Sequence, residues 1–272
     1  MRVINNGKSY IEQYDNDVEF LKEIGKSEFF EDYVNLHLKK FHINETYEVA
    51  NKLLRYGWDA PLGNLKEDVS VALNHLTRGE KVCHKLVNAY VGSRPNVPAY
   101  CMNIPMQMYK SEKRITNQPI ISIYFDVCCS CSLDNSDFER KCCQVLSKII
   151  LLEKRGYRVR LNVCYLTESS FTNLRRYLGF TIVLKSENQL INLKRLSFPL
   201  CNVGFSRGYG LGNINRVQSL HKEFGNITFG YGACIANDKY LIIEVINLLK
   251  RKGERCYYLS YYTDLDKVFN DL

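Results

Sequence analysis

No stretch of the chain runs to the roughly 18 uninterrupted apolar residues that a membrane-spanning helix requires, so no such helix is expected. The opening segment MRVINNGKSYIEQYDND has none of the apolar core of a secretion signal, and the expected compartment is the cytoplasm. No short repeat and no low-complexity tract interrupts the sequence. No Walker loop, catalytic triad or pair of spaced carboxylates stands out, which points away from an enzyme and leaves no cofactor to expect. Proline is scarce, and four of its six occurrences, Pro95, Pro98, Pro105 and Pro119, fall in one short region.

What is present fits a folded domain. The 272 residues are 46% hydrophobic and 24% charged, enough apolar material for a substantial core and far from a disordered composition. Eleven cysteines without a secretion signal read as reduced thiols rather than a disulfide framework. The net charge of +8 is uneven: residues 1–50 hold six Lys/Arg against ten Asp/Glu, a balance of −4, so the remaining 222 carry +12. A basic body of this kind suits nucleic acid or another polyanion, although a solvated surface has the same charge.

Residues 1–90 read as a helical N-terminal region. From Asn16 to Lys40 apolar residues recur at helical spacing with a break at Gly25; helices follow in NETYEVANKLLRYGW, capped by Asn44 and closed by Gly57, and in NLKEDVSVALNHLTRG, closed by Gly79. Residues 91–119 form a proline-rich connector, and 120–272 an α/β domain. There PIISIYFDVC is a buried strand, a helix runs from about Ser136 to Lys154, and a second strand spans Val159 to Leu166, which is the parallel βαβ unit. FTIVLKS supplies another strand, INLKRLSF a short helix, and NDKYLIIEVINLLKRKGERCYYLSYY repeats helix, glycine, strand. The expected fold is α/β, with a mostly parallel central sheet flanked by helices.

YFDVCCSCSL, residues 124–133, ends the first of these strands in a cysteine-rich turn. Zinc on Cys128, Cys129 and Cys131, with Cys142 or Cys143, is disfavoured because adjacent cysteines on a strand point to opposite faces. A nucleophilic cysteine lacks a motivated basic partner, since His84 and His221 lie on unrelated segments. Position offers a third reading, because ligands of open parallel sheets sit beyond the carboxyl ends of the strands, where Asp126 and Ser130 fall. Asp126-Val127-Cys128-Cys129-Ser130 resembles the D-x-S-x-S metal-adhesion motif of von Willebrand factor A domains, which implies a von Willebrand A-like or Rossmann-like sheet. Asp126 and Ser130 are thereby weak candidates for a metal, with Asp134 and Asp137 nearby, but Cys128 replaces a serine, and a neutral thiol is a poor ligand for a hard cation. A plain strand end followed by a helix start accounts for the same residues.

A broader resemblance covers residues 45–217. Gly92, Pro95, Val97, Ala99, Tyr100, Pro105 and Met108, with LLEKRGYRV and INLKRLSFPLCNVGFSR, are similar to a family of uncharacterised proteins encoded by bacteriophages and mobile elements. The resemblance implies a viral or mobile-element origin and no established activity.

FSRGYGLGNINRVQSLHKEFGNITFGYG, residues 205–232, interleaves glycines with aromatic and basic residues. Glycine lets a backbone approach a ligand, aromatic faces stack on bases and guanidinium groups meet phosphate. Arg207, Tyr209, Arg216, Lys222, Phe229 and Tyr231, joined by Arg175 and Arg176, are the candidate nucleic-acid contacts. Glycine-rich turns packing aromatic residues would have the same composition. The leading expectation is a non-enzymatic, single-strand-favouring nucleic-acid-binding protein serving viral replication or transcription. The alternative is an adaptor engaging a viral or host protein through the face around Asp126. Nineteen tyrosines, clustered at YYLSYY, also offer surface for a homo-oligomer.

Overall fold

The computed structural model describes residues 1–40, 45–59, 84–113, 120–129, 135–169, 176–222, 233–234, 239–251 and 253–269. Its N-terminal region, expected to be mostly helical, opens instead on strands β1 (Arg2–Asn5) and β2 (Ser9–Tyr14), paired antiparallel. The Asn-Gly turn between them is the signal: Gly7 takes φ 80°, and Asn6 Oδ1 accepts from the backbone N–H groups of Lys8 (3.1 Å) and Ser9 (2.7 Å). Helices α1 (Asp17–Ile24), α2 (Phe30–Lys40) and α3 (Tyr47–Tyr56) follow. Thr46, not Asn44, caps α3, and Asn44 and the helix expected near 64–79 lie outside the described residues.

The proline-rich region holds more structure than a connector. Strand β3 (His84–Ala89) pairs antiparallel with β5 (Met108–Lys113), which also pairs with the two-residue β4 (Arg94–Pro95), and a short helix α4 (Val97–Cys101) lies between β4 and β5. This three-stranded sheet straddles the boundary drawn at residue 90.

Next come β6 (Ile120–Asp126), α5 (Asn135–Lys154), β7 (Arg158–Ser169) and β8 (Arg176–Lys185). Helix α6 (Leu193–Cys201) leads to a π-helical turn, Phe205–Gly210, that runs directly into α7 (Leu211–Leu220). Then β9 (Ala233–Cys234), α8 (Lys239–Leu249), β10 (Arg255–Ser260) and α9 (Leu265–Phe269) complete the order.

The large sheet runs β1-β2-β8-β7-β6-β10, with β9 beside β7. Its β2–β8, β7–β6 and β6–β10 pairings are parallel, and β1–β2, β8–β7 and the side pairing β7–β9 are antiparallel. The fold is α/β, and the six-stranded path is mostly parallel, as expected. From β6 onward the path through the sheet is β8-β7-β6-β10, with β8 antiparallel to β7 and β10 on the far side of β6. Because β2 is hydrogen-bonded to β8, the N-terminus belongs to the same sheet as the C-terminal half.

Period-two alternation sends β residues to two faces. Ile121, Ile123, Phe125, Leu161, Val163, Phe180 and Ile182 meet α1, α2, α3, α5, α6 and α7 in the main core. Aromatic packing runs through it, with Phe20 stacked on Phe180 (5.2 Å) and Phe205 on Tyr209 (5.7 Å). The opposite face carries a smaller cluster, in which Val245 and Leu249 of α8 cover Tyr124, Cys164 and Leu166.

Candidate functional site

Asp126 stands where β6 stops while β7 continues, which leaves the longer strand's next backbone group without a ladder partner. Val127 N–H still donates to Cys164 C=O (2.9 Å). In a continuing parallel ladder the next bond would join Leu166 N–H to Val127 C=O. Here both groups are met by side chains: Asp126 Oδ1 accepts from Leu166 N–H (3.3 Å) and from Cys128 N–H (2.9 Å), and Ser206 Oγ donates to Val127 C=O (2.6 Å). Tyr258 Oη donates to Asp126 Oδ2.

The carboxyl group is wholly buried, and burial pushes its pKa up to about 7 against the lowering effect of those three bonds. Asp126 therefore ties the ends of β6, β7 and β10 together and offers no oxygen to solvent, which removes it as a partner-facing residue. Ser130, Cys131 and Asp134 lie outside the described residues. Among the described residues no three His, Cys, Asp or Glu side chains converge as metal ligands. Cys142 and Cys143 of α5 are buried with Cys201 of α6 in the main core. Burial raises the Cys142 thiol's pKa, and the Cys142 side-chain hydrogen bond raises that of Cys201, so both stay protonated.

The glycine-aromatic segment is also internal where it is described. Tyr209 is 0% exposed, stacked on Phe205, and its phenol donates to Asn51 Oδ1 (2.7 Å). Arg216 is buried against the Glu12 carboxylate, which also accepts from Tyr14 Oη (2.7 Å), and Arg216 Nε donates to Asn213 Oδ1 (2.8 Å). Neither side chain is available to a base or a phosphate. Composition misled here because glycine serves close packing: a Cβ on Gly210 would fall 2.3 Å from the Tyr165 ring, and one on Gly208 3.0 Å from Leu38 Cδ2. Arg207 is half-buried in the π-helical turn; Arg175, Phe229 and Tyr231 lie outside the described residues.

Two of the anticipated cations, Arg176 and Lys222, lie toward the end of the sheet where β2 and β8 begin. Tyr177 N–H donates to Lys8 C=O (2.8 Å), which sets Lys8 beside Arg176 at the start of β2 and β8. The His221 ring lies 4.3 Å from that of Tyr10, so the segment that ends in Lys222 passes the same end of β2. Lys8 and Lys222 are exposed and Arg176 half-buried.

A polar crevice of about 170 Å³ opens on the second face of the sheet, beside the C-terminal end of α8. Its polar lining comes from Arg2, Gln13, Asp15, Arg160, Asn162, Thr181 and Arg251, and Tyr124, Val183 and Leu249 add apolar wall. Arg160 is fixed from both sides, donating to Glu254 Oε1 (2.6 Å) and Glu187 Oε2 (2.7 Å). Arg251 sits 3.6 Å from Asp15, both exposed. The sequence did carry a signal for this site, since Arg160 and Asn162 occupy alternate positions of the otherwise apolar or aromatic stretch 159–166.

The profile of a family described as a domain of unknown function, DUF7192, matches residues 2–271. The chain belongs to that family. The DUF7192 match runs from β1 to beyond α9, so it takes in both sheets, the basic corner and the crevice. No curated protein and no solved structure matches the chain.

Proposed function

We propose that the protein binds nucleic acid without catalysing a reaction on it, favours single strands, and grips phosphate at the corner formed by Lys8, Arg176 and Lys222. The observation that carries this reading is the placement of Lys8 beside Arg176 where β2 and β8 begin, with Lys222 next in the chain to His221, whose ring packs on Tyr10. The charge of +12 over residues 51–272 supports it, because a basic surface raises the local concentration of a polyanion. The resemblance to phage and mobile-element proteins supports placing the activity in replication or transcription of such an element. The strand order around β6, with Asp126 at its carboxyl end, supports a von Willebrand A-like reading of the fold in which that aspartate is structural.

Fluorescence anisotropy of labelled single-stranded and duplex oligonucleotides at two salt concentrations tests the proposal. The wild type should bind single strands more tightly. The Lys8→Ala/Arg176→Ala/Lys222→Ala variant should bind more weakly, with a log–log salt slope shallower by about 2, from roughly 0.7 per lost single-strand phosphate contact. Absence of binding at low salt overturns the reading.

A second reading, an adaptor for another protein, is favoured by the exposed Tyr90, Val91, Val97, Tyr100 and Met102 around the small sheet. Such binding would respond weakly to salt.

A further inference from the structure

We propose that the crevice on the second face of the large sheet receives one unstacked nucleobase of a bound single strand, with Arg2 and Arg251 on the adjoining phosphates. The inference rests on the nucleic-acid reading above and assigns base recognition to a site distinct from the basic corner.

The floor of the crevice is polar yet enclosed. Asn162 is 3% exposed, Thr181 4% and Arg160 7%. A sheet face with no ligand to meet is ordinarily apolar under a helix or polar in open water. Buried hydrogen-bonding groups lining a cavity mark a surface shaped for a polar guest.

Size narrows the guest. A cavity of about 150 Å³ accommodates a benzene molecule, so roughly 170 Å³ takes a single heterocyclic ring system and leaves sugar and phosphate outside.

Charge narrows it further. The Arg160 guanidinium is already matched by Glu187 and Glu254, and Ser122 Oγ donates to the remaining oxygen of Glu254 (2.6 Å). A phosphate on the floor would meet this compensated network, whereas a neutral base would not disturb it.

The neutral polar groups of the floor and rim match the edge of a base. The amides of Gln13 and Asn162 and the hydroxyl of Thr181 each combine donor and acceptor capacity, and Asn162 uses one amide hydrogen on Ile123 C=O (3.2 Å). Tyr124, held by its phenol's bond to Leu249 C=O (3.1 Å), adds an aromatic wall with Val183 and Leu249. Outside the floor, Arg251 faces Asp15 across 3.6 Å, with both side chains largely exposed, and phosphate can exchange into such a loose pair.

The test is anisotropy with four labelled 12-mers, homopolymers of each deoxynucleotide, and a fifth whose residues are abasic. The wild type should bind the abasic strand at least about fivefold more weakly than the best homopolymer, the lower end of what one stacked base contributes. Thr181→Val should compress the ranking among homopolymers while leaving its urea midpoint near that of the wild type. Arg2→Ala/Arg251→Ala should weaken all of them alike. Gln13→Trp, which fills the mouth from the half-buried rim, should bring the homopolymers down to the abasic strand and keeps the test decisive if Thr181→Val folds poorly. Equal affinity for abasic and normal strands, unchanged by Gln13→Trp but lost in the Lys8→Ala/Arg176→Ala/Lys222→Ala variant, overturns the base pocket and leaves the nucleic-acid reading standing. No binding of any strand at low salt overturns both.

Discussion

The carboxyl group of Asp126 shows how one buried atom pair can hold a strand end and make stability depend on pH. Its folded pKa of about 7 lies above the ordinary 3.8, so between these values the folded chain holds a proton that the unfolded chain has released. Stability from this group is therefore greatest at low pH, falls as pH rises from about 4 to about 7, and is flat beyond. His37 works in the opposite sense: burial lowers its pKa to about 4, so stability drops as pH falls from 6.5 toward that value. Asp126→Asn keeps an acceptor for Leu166 and Cys128 and can donate to Tyr258, while it abolishes the titration. The variant should gain on the wild type steadily from pH 4 to 7, by at most roughly 4 kcal/mol for a shift of this size. Urea midpoints of both proteins across that range measure the difference, from which the His37 contribution cancels; a constant offset would show that Asp126 is ionised throughout. In the sequence Asp126 looked like a ligand because it stands where ligands bind in open sheets, and nothing in one chain's spelling shows that Leu166, Cys128 and Tyr258 converge on it.

At the scale of elements, the strands and helices from Ile120 onward follow closely from apolar spacing. Helix α5 presents Phe138, Cys142, Val145, Ile149 and Leu152 on one face, and the strands are dense in branched and aromatic residues. The segment from Phe205 to Leu220 was not legible in the same way. Glycine at alternate positions weakens helix propensity, yet here the chain forms a π-helical turn and a helix because closeness to Leu38, Val34 and Tyr165 outweighs that cost. Gly210→Ala tests the account: its Cβ would fall 2.3 Å from the Tyr165 ring, so a loss of about 1–3 kcal/mol or more is expected in urea denaturation. Unchanged stability would mean that the glycines serve something other than packing. Strands β1 and β2 were missed for a simpler reason, their shortness, although the Asn-Gly turn between them was there to be read.

For the molecule as a whole, strand pairing overrides the division suggested by proline and charge. Strand β2 lies against β8 over Ser9–Tyr14, and Ile11 and Tyr14 are fully buried. A fragment of residues 120–272 would expose the β2-facing edge of β8 and lose Phe20, Phe30, Val34 and Tyr14 from the core. It should lack the near-ultraviolet circular dichroism and slow amide exchange of the full chain; a cooperative, protected fragment would restore an independent C-terminal domain. The acidic head is thus built into the basic body, with Glu12 inside against Arg216. By itself the sequence determined the α/β class, the βαβ unit and the excess of positive charge, because these depend on local periodicity and composition. Only the tertiary structure decided which charges are buried, since Arg216 and Arg160 are matched by carboxylates far away in the chain, while the register of β2 on β8 sets Lys8 beside Arg176 at the edge of the sheet. The crevice is tertiary for the same physical reason: its lining comes from β1, β2, β6, β7, β8 and the end of α8, and adjacency across a sheet is set by hydrogen-bonded pairing that residue spacing does not encode.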